Sequence, residues 1–248
     1  MVLDTLDTVD SEIHPRFHDR DGDLSESFLS DVRAAIVAAD AGQLGALTAP
    51  LHEFELGSLL ERLQPDERRA LVRLAGETFD YAALTEVDEA IRLEIVHAMT
   101  DDGIAAAVRT LDSDDAVFIL EDLGEAQRAS ILERLPFRER IRLRRPLGYP
   151  DETAGRRMQT EYVAVPPYWS VGQTLDYLHD DTSLPERFFE LLVVDPSFRL
   201  LGTVELHDVL RADRKQPIDS LQRPTRHAIP ATTDQEEAAR IFQRYNLL

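Results

Sequence analysis

The chain has no cysteine, which removes disulfides and thiolate metal sites and fits a reducing compartment. It has almost no lysine: Lys215 is the only one, and every other strongly basic side chain is an arginine. Positive charge is scarce overall, with 27 basic residues against 47 acidic ones and a formal net charge of -20. A surface of that sign repels phosphates and anionic membranes and attracts cations, so nucleic acid is set aside as a partner. No apolar run approaches the roughly 20 residues needed to span a bilayer. The N-terminus lacks a basic-then-apolar signal segment, and the chain reads as soluble. There is no G-x-S-x-G, no P-loop and no G-x-G-x-x-G, so no catalytic constellation is evident and an enzyme is not expected.

What is present is a long helical pattern followed by a β-rich one. Residues 1–27 are acidic, poor in core-forming runs and interrupted by Pro15 and Gly22, which predicts a flexible tail. His14 and His18 are four apart there, but Pro15 lies between them and no metal site is expected. From Phe28 to about Leu147 apolar residues recur at helical spacing, with a first helix over FLSDVRAAIVAAD that starts near Ser30 or Asp31. Segments beginning at Leu59, Leu84, Val108 and Ile131 repeat one another, and Leu63, Val87, Leu111 and Leu135 fall in register every 24 residues. That period predicts stacked pairs of short helices, because a lone pair of this length cannot bury its apolar stripe.

The stretch Tyr149–Thr160, YPDETAGRRMQT, ends the helical pattern with Pro150 and Gly155. Beyond it, strands are expected over 161–165, 188–195 and 200–206 and helices after Ser170 and from His207. After a linker over 211–224 the pattern restarts with a strand over 225–230 and a helix from Thr232.

Carboxylates, not histidines, are the candidate metal ligands. Magnesium takes oxygen ligands, keeps several waters and needs only one or two carboxylates. Acidic residues open one helix after another, where they also offset the macrodipole. The densest group is Asp112, Asp114 and Asp115, followed by Glu121, Asp122 and Glu125. Asp234-Gln235-Glu236-Glu237 reads from its own residues as an N-cap with an acidic first turn. RIRLRRPLGY, 140–149, is a basic patch read as a counterion for neighbouring acidic turns.

Several of these motifs resemble one family. YPDETAGRRM resembles the joint between the helical N domain and the paired CBS domains of MgtE-type magnesium transporters, LDSDDAVFILEDL a segment of that N domain, and TDQEEAARIFQRYNLL the start of the second CBS domain. The resemblance implies a mostly α fold with an α+β part: a right-handed superhelical helix-pair repeat domain over 28–148, a first CBS domain over 149–222 and the start of a second, incomplete one over 223–248. It implies Asp114, Asp115, Asp234 and Glu236 as magnesium ligands, with Phe118 and Asn246 standing where the family has further carboxylates, and Arg156-Arg157 as a departure in the joint. In GTVELHD, 202–208, Asp208 matches a ribose-binding aspartate, but Glu205 replaces a hydroxyl residue and would repel phosphates, so ATP binding is expected to be weak. The implied function is the magnesium-sensing regulatory region of a magnesium channel, at the cytoplasmic face of the cell membrane. It would act on its own transmembrane domain, which lies outside this chain, and pair as a homodimer through CBS domains. The alternatives are a helical-repeat and CBS scaffold, whose helical part also resembles flagellar motor switch repeats, and an adenylate-sensing regulator.

Overall fold

The computed structural model describes residues 17–19, 22–185, 187–224 and 227–246. Contacts divide the chain into two units, Met1–Leu111 with Phe118–Arg140, and Asp112–Val117 with Ile141–Leu248.

Among the described residues, nine α-helices follow one another through the first part of the chain: α1 Glu26–Val37, α2 Ala41–Thr48, α3 Glu53–Arg62, α4 Pro65–Ala75, α5 Glu89–Ala98, α6 Asp101–Arg109, α7 Ser113–Glu121, α8 Glu125–Arg134 and α9 Phe137–Leu147. A one-turn 3₁₀ helix, Tyr81–Leu84, stands before α5. The described residues 17–19 and 22–27 are not the flexible tail that their composition suggests. Phe17 and Leu24 are buried, Phe17 meets Phe28 edge-on with centroids 5.1 Å apart, and α1 is capped by Ser25, whose hydroxyl accepts from Phe28 N–H. Burial of two apolar side chains outweighs the acidic composition there. Residues 1–16, including His14, lie outside the described residues, and His18 pairs with Glu55 at 2.8 Å.

The 24-residue register has a physical basis. Leu63, Val87, Leu111 and Leu135 are all buried, and each stands immediately before the residue that opens the second helix of a pair. Leu63 and Leu135 are extended, and each donates its N–H to a carbonyl three residues back, so the chain turns a corner while the side chain stays in the core. The first members of successive pairs pack on one another, α3 on the 3₁₀ helix and α6 on α8, and α4 packs on α5. Arginine supplies cross-links about one repeat apart: Arg68 to Glu94 at 3.0 Å, Arg92 to Asp122 at 2.5 Å, Arg109 to Glu139 at 3.1 Å and Arg134 to Asp102 at 2.8 Å. The exposed pairs contribute about 0–1 kcal/mol each. Arg92 differs, because it is buried and its guanidinium lies 4.2 Å from the centroid of the Phe118 ring. Phe118 thus covers a cation that Asp122 neutralises.

In the second unit, α10 Ala154–Arg157, β1 Ala164–Val165, α11 Val171–Asp180, β2 Glu190–Val194, β3 Leu200–Glu205, α12 Leu206–Arg211 and α13 Gln235–Tyr245 follow in order. The sheet order is β1-β2-β3, with β1 parallel to β2 and β2 antiparallel to β3. Val163, Val165, Val171, Leu191, Val193, Val204, Val209 and Ile218 form its core. Ser170 and Gln173 make the capping box that starts α11. The strands are shorter than expected, and Phe189, placed in a buried strand by its sequence, is 82% exposed. Residues 227–230 form no strand, while 225 and 226 lie outside the described residues. Pro224 and Pro230 flank that stretch and have no N–H to donate to a ladder.

Leu63→Ala and Leu135→Ala should each lower unfolding free energy by about 2–5 kcal/mol in urea denaturation. Phe137→Ala, at a side chain 69% exposed, should change it little. Losses below about 1 kcal/mol at both leucines would contradict their role as corner residues.

Candidate metal and ligand sites

The joint between the two sequence patterns is held by its backbone. Gln235 N–H donates to the Glu152 carbonyl at 2.8 Å, Ala154 N–H to Thr233 at 2.7 Å and Gly155 N–H to Ala231 at 2.7 Å. Gly155 is required by this approach, since a Cβ there would stand 2.7 Å from Tyr149 Cγ and 2.8 Å from the Ala231 oxygen. Arg156, one of the two arginines that depart from the family's joint, turns inward. Its guanidinium donates to the Leu147 carbonyl at the end of α9 and to Asp151 Oδ1 at 2.5 Å. Arg157 Nε donates to Gln235 Oε1 at 3.1 Å.

This pairing delivers the first acidic helix start. Asp234 is the N-cap of α13, and its Oδ1 accepts from Glu236 N–H at 2.9 Å and Glu237 N–H at 3.3 Å. Asp234 and Glu236 are both exposed, and Glu236 lies 3.6 Å from Arg240 one turn on. Asn246 has a structural reason to be an asparagine: it closes α13 in the left-handed conformation with φ 49°.

The second acidic helix start is the beginning of α7. Ser113 is fully buried; its hydroxyl donates to Glu161 Oε2 at 2.6 Å and accepts from Thr160 N–H at 2.8 Å. Thr160 N–H also reaches Glu161 Oε2 at 3.1 Å, and Arg142 Nη1 pairs with Glu161 Oε1 at 2.9 Å. Gln159 donates to Asp112 Oδ2 at 3.4 Å. Asp114 and Asp115 follow in the first turn, both half-buried. Asp114 Oδ1 is buried with no hydrogen-bond partner in the protein. Burial pushes the Asp114 carboxyl above its ordinary range and the Asp112 charge adds to this, while the backbone amides of Asp114 and Asp115 and the Gln159 side chain act in the opposite sense.

The predicted metal residues therefore stand as two pairs, Asp114 with Asp115 and Asp234 with Glu236, each at a helix start tied to one end of the same joint. Asp122, from the dense acidic group, is committed to Arg92 instead. Among the described residues no group of three or more His, Asp or Glu side chains is placed to hold a metal ion. The donor chemistry nevertheless suits magnesium, which binds through one or two carboxylates and its own waters. The orphaned Asp114 oxygen, disfavoured as an anion by its surroundings, is compatible with a cation ligand.

Asp208 lies in a separate charge cluster. Arg223 forks between them, with Nη1 at 2.6 Å from Glu205 Oε1 and Nη2 at 2.6 Å from Asp208 Oδ2, while His207 stands 3.1 Å from Glu205 and 3.2 Å from Asp208. Arg223 is placed by paired backbone bonds to Thr203, and Gly202 permits the crossing, since a Cβ there would lie 2.5 Å from the Arg223 oxygen. Glu205 is thus not the bare repulsive charge that its sequence suggests, and Asp208 is already engaged.

Sequence reasoning missed Ser113, Gln159 and Glu161 as members of the α7 site. Glu161 reads as the start of a strand, and its bond to Ser113 spans 48 residues. No local spacing signals such a contact.

Comparison with known proteins gives these features a common setting. Residues 51–152 match the MgtE intracellular N domain and residues 154–215 match the CBS domain. The magnesium transporter MgtE of Thermus thermophilus is 24% identical over 226 residues, which is 90% of this chain and 50% of that protein. That of Bacillus subtilis is 24% identical over 163 residues, 66% of this chain and 36% of that protein. The chain thus spans half or less of the length of these relatives. Among solved structures, the soluble part of a magnesium transporter aligns with a TM-score of 0.74 at 22% identity, covering 89% of this chain and 87% of that one. The cytosolic domain of the Mg2+ channel MgtE in complex with ATP aligns with a TM-score of 0.76 at 23% identity, covering 88% of this chain and 89% of that one. The two consecutive matches identify the chain as an MgtE intracellular N domain followed by a CBS domain, on the fold that those two structures share.

Proposed function

We propose that the chain is the magnesium-sensing regulatory region of a magnesium channel or transporter, and that magnesium bridges Asp114 or Asp115 to Asp234 or Glu236. The observation that carries this reading is the buried, partnerless Asp114 Oδ1 in a chain that otherwise answers many of its carboxylates with arginine. Two like charges about 4 Å apart repel by roughly 1 kcal/mol in water and about 4 kcal/mol near a protein surface. Without the ion, the acidic helix starts hold each other off. With it, they are drawn together, and the compact state holds a membrane pore shut. The ion acts because it binds the closed state better than the open one. The role is regulatory rather than catalytic. Among the described residues no helix is long and apolar enough to cross a membrane, so in this reading the pore is formed elsewhere.

Homodimerisation through the CBS part belongs to the same proposal. Phe189, Phe198, Leu210, Phe242 and Tyr245 are exposed at 82, 72, 65, 49 and 51%, an apolar content that suits burial against a second copy. Nucleotide is a secondary ligand in this reading: adenosine ribose reaches Asp208 only by displacing Arg223.

Small-angle scattering under magnesium titration at constant ionic strength should show a saturable fall in radius of gyration, absent with sodium. Asp114→Asn and Asp234→Asn should each weaken it; the second keeps a good N-cap and removes only charge. Native compaction in the double variant would refute the bridging pairs.

Stability offers a second check. The folded-state pKa of Asp114 is raised above its ordinary value of 3.8, so stability from this group is gained as pH falls through the raised value and is complete below the unfolded one. Asp114→Asn should therefore raise Tm at pH 7 in magnesium-free buffer, with the gain shrinking towards acid pH. A lowered Tm at neutral pH would contradict the unfavourable setting assigned to this carboxylate.

A further inference from the structure

The network around Ser113 does something for the α7 site that its own carboxylates do not. Glu161 gathers three partners: Arg142 at 2.9 Å, the Ser113 hydroxyl at 2.6 Å and Thr160 N–H at 3.1 Å. Ser113 N–H also approaches Glu161 Oε2, at 3.4 Å. Ser113 has no exposed surface, and the side chain of Glu161 is only 15% exposed. A buried carboxylate with two hydrogen-bonded neighbours and a guanidinium is held in one orientation. It fixes the first residue of α7, and the next two residues are Asp114 and Asp115.

We propose that Glu161 is a positioning residue for the acidic start of α7, acting through Ser113 to hold Asp114 and Asp115 in the arrangement that receives a divalent cation. This rests on the magnesium reading above and adds a residue to it. Glu161 Oε1 lies 2.9 Å from Arg142 Nη1, an ion pair without hydrogen-bond geometry, and in this role Glu161 does not touch the ion. Its role is that of an outer partner that orients ligands, a class whose loss typically lowers metal affinity by about 10–100-fold.

Two alternatives give different patterns. If Glu161 acted only as a nearby negative charge, Ser113→Ala would leave affinity intact and Arg142→Ala would strengthen it. If it positions the turn, Glu161→Ala, Ser113→Ala and Arg142→Ala all weaken binding, and Glu161→Gln, which can still accept from Ser113 and Thr160, is the mildest.

The test is a titration of the chain with magnesium chloride at constant ionic strength. Amide shifts of Asp114 and Asp115 give the affinity, and hydrogen exchange of Ala116 and Val117 reports the order of the turn. The expected result is a drop of about tenfold in magnesium affinity for Ser113→Ala and Glu161→Ala, a smaller one for Glu161→Gln, and faster exchange in the same order. Faster exchange with native affinity would overturn the positioning role and leave the magnesium reading standing. Stronger binding in Arg142→Ala would overturn it in favour of bare charge. If magnesium leaves the Asp114 and Asp115 shifts of the native chain unmoved, the ion reading falls and this role falls with it.

Discussion

The second unit depends on a close backbone approach at the joint. Three hydrogen bonds run between 152–155 and 231–235, and they form only because Gly155 has no side chain to strike Tyr149 or the Ala231 carbonyl. That approach sets where α13 begins and hence where Asp234 and Glu236 stand. The other end of the same stretch, Gln159 to Glu161, grips the start of α7. One short segment, 152–161, is therefore bonded to both acidic helix starts. A ligand that alters either pair of carboxylates acts on a backbone already bonded to the other.

The charge economy of the chain follows from its composition. With one lysine and many arginines, it uses the planar, multiply donating guanidinium for cross-links between repeats and for the end of α9. The basic patch at 140–149 is spent in this way: Arg140 pairs with Glu133 at 2.7 Å and Arg142 with Glu161. Against that background the buried Asp114 Oδ1 has no hydrogen-bond partner, and the exposed Glu236 lies 3.6 Å from Arg240. In the proposed reading, a divalent ion would supply the charge that these two positions lack.

Much of this architecture was legible in the sequence because its causes are local. Leu63, Val87, Leu111 and Leu135 mark the corners of the helix pairs at a constant interval, and Ser170 and Asp234 cap helices where their neighbours suggested. The strands were over-extended, since an apolar run such as FFELLVVD does not reveal that Phe189 faces outward. Asn246 and Phe118 looked like lost ligands. The fold shows what they do instead: one closes α13 and the other lies over Arg92. Ser113, Glu161 and Arg223 were invisible as site residues, because their roles come from contacts 15 to 48 residues away.

Magnesium-dependent protection of the two helix starts is the most direct measure of whether one ion couples them. Hydrogen exchange of the whole chain, with magnesium or with sodium at equal ionic strength, resolves peptides over 112–120 and 232–245 separately. Coupled bridging requires both peptides to become protected together, at one magnesium concentration, and both to lose that protection when Asp114 alone is changed to asparagine. Protection of one peptide without the other, or of neither, would show that the two acidic helix starts do not share an ion.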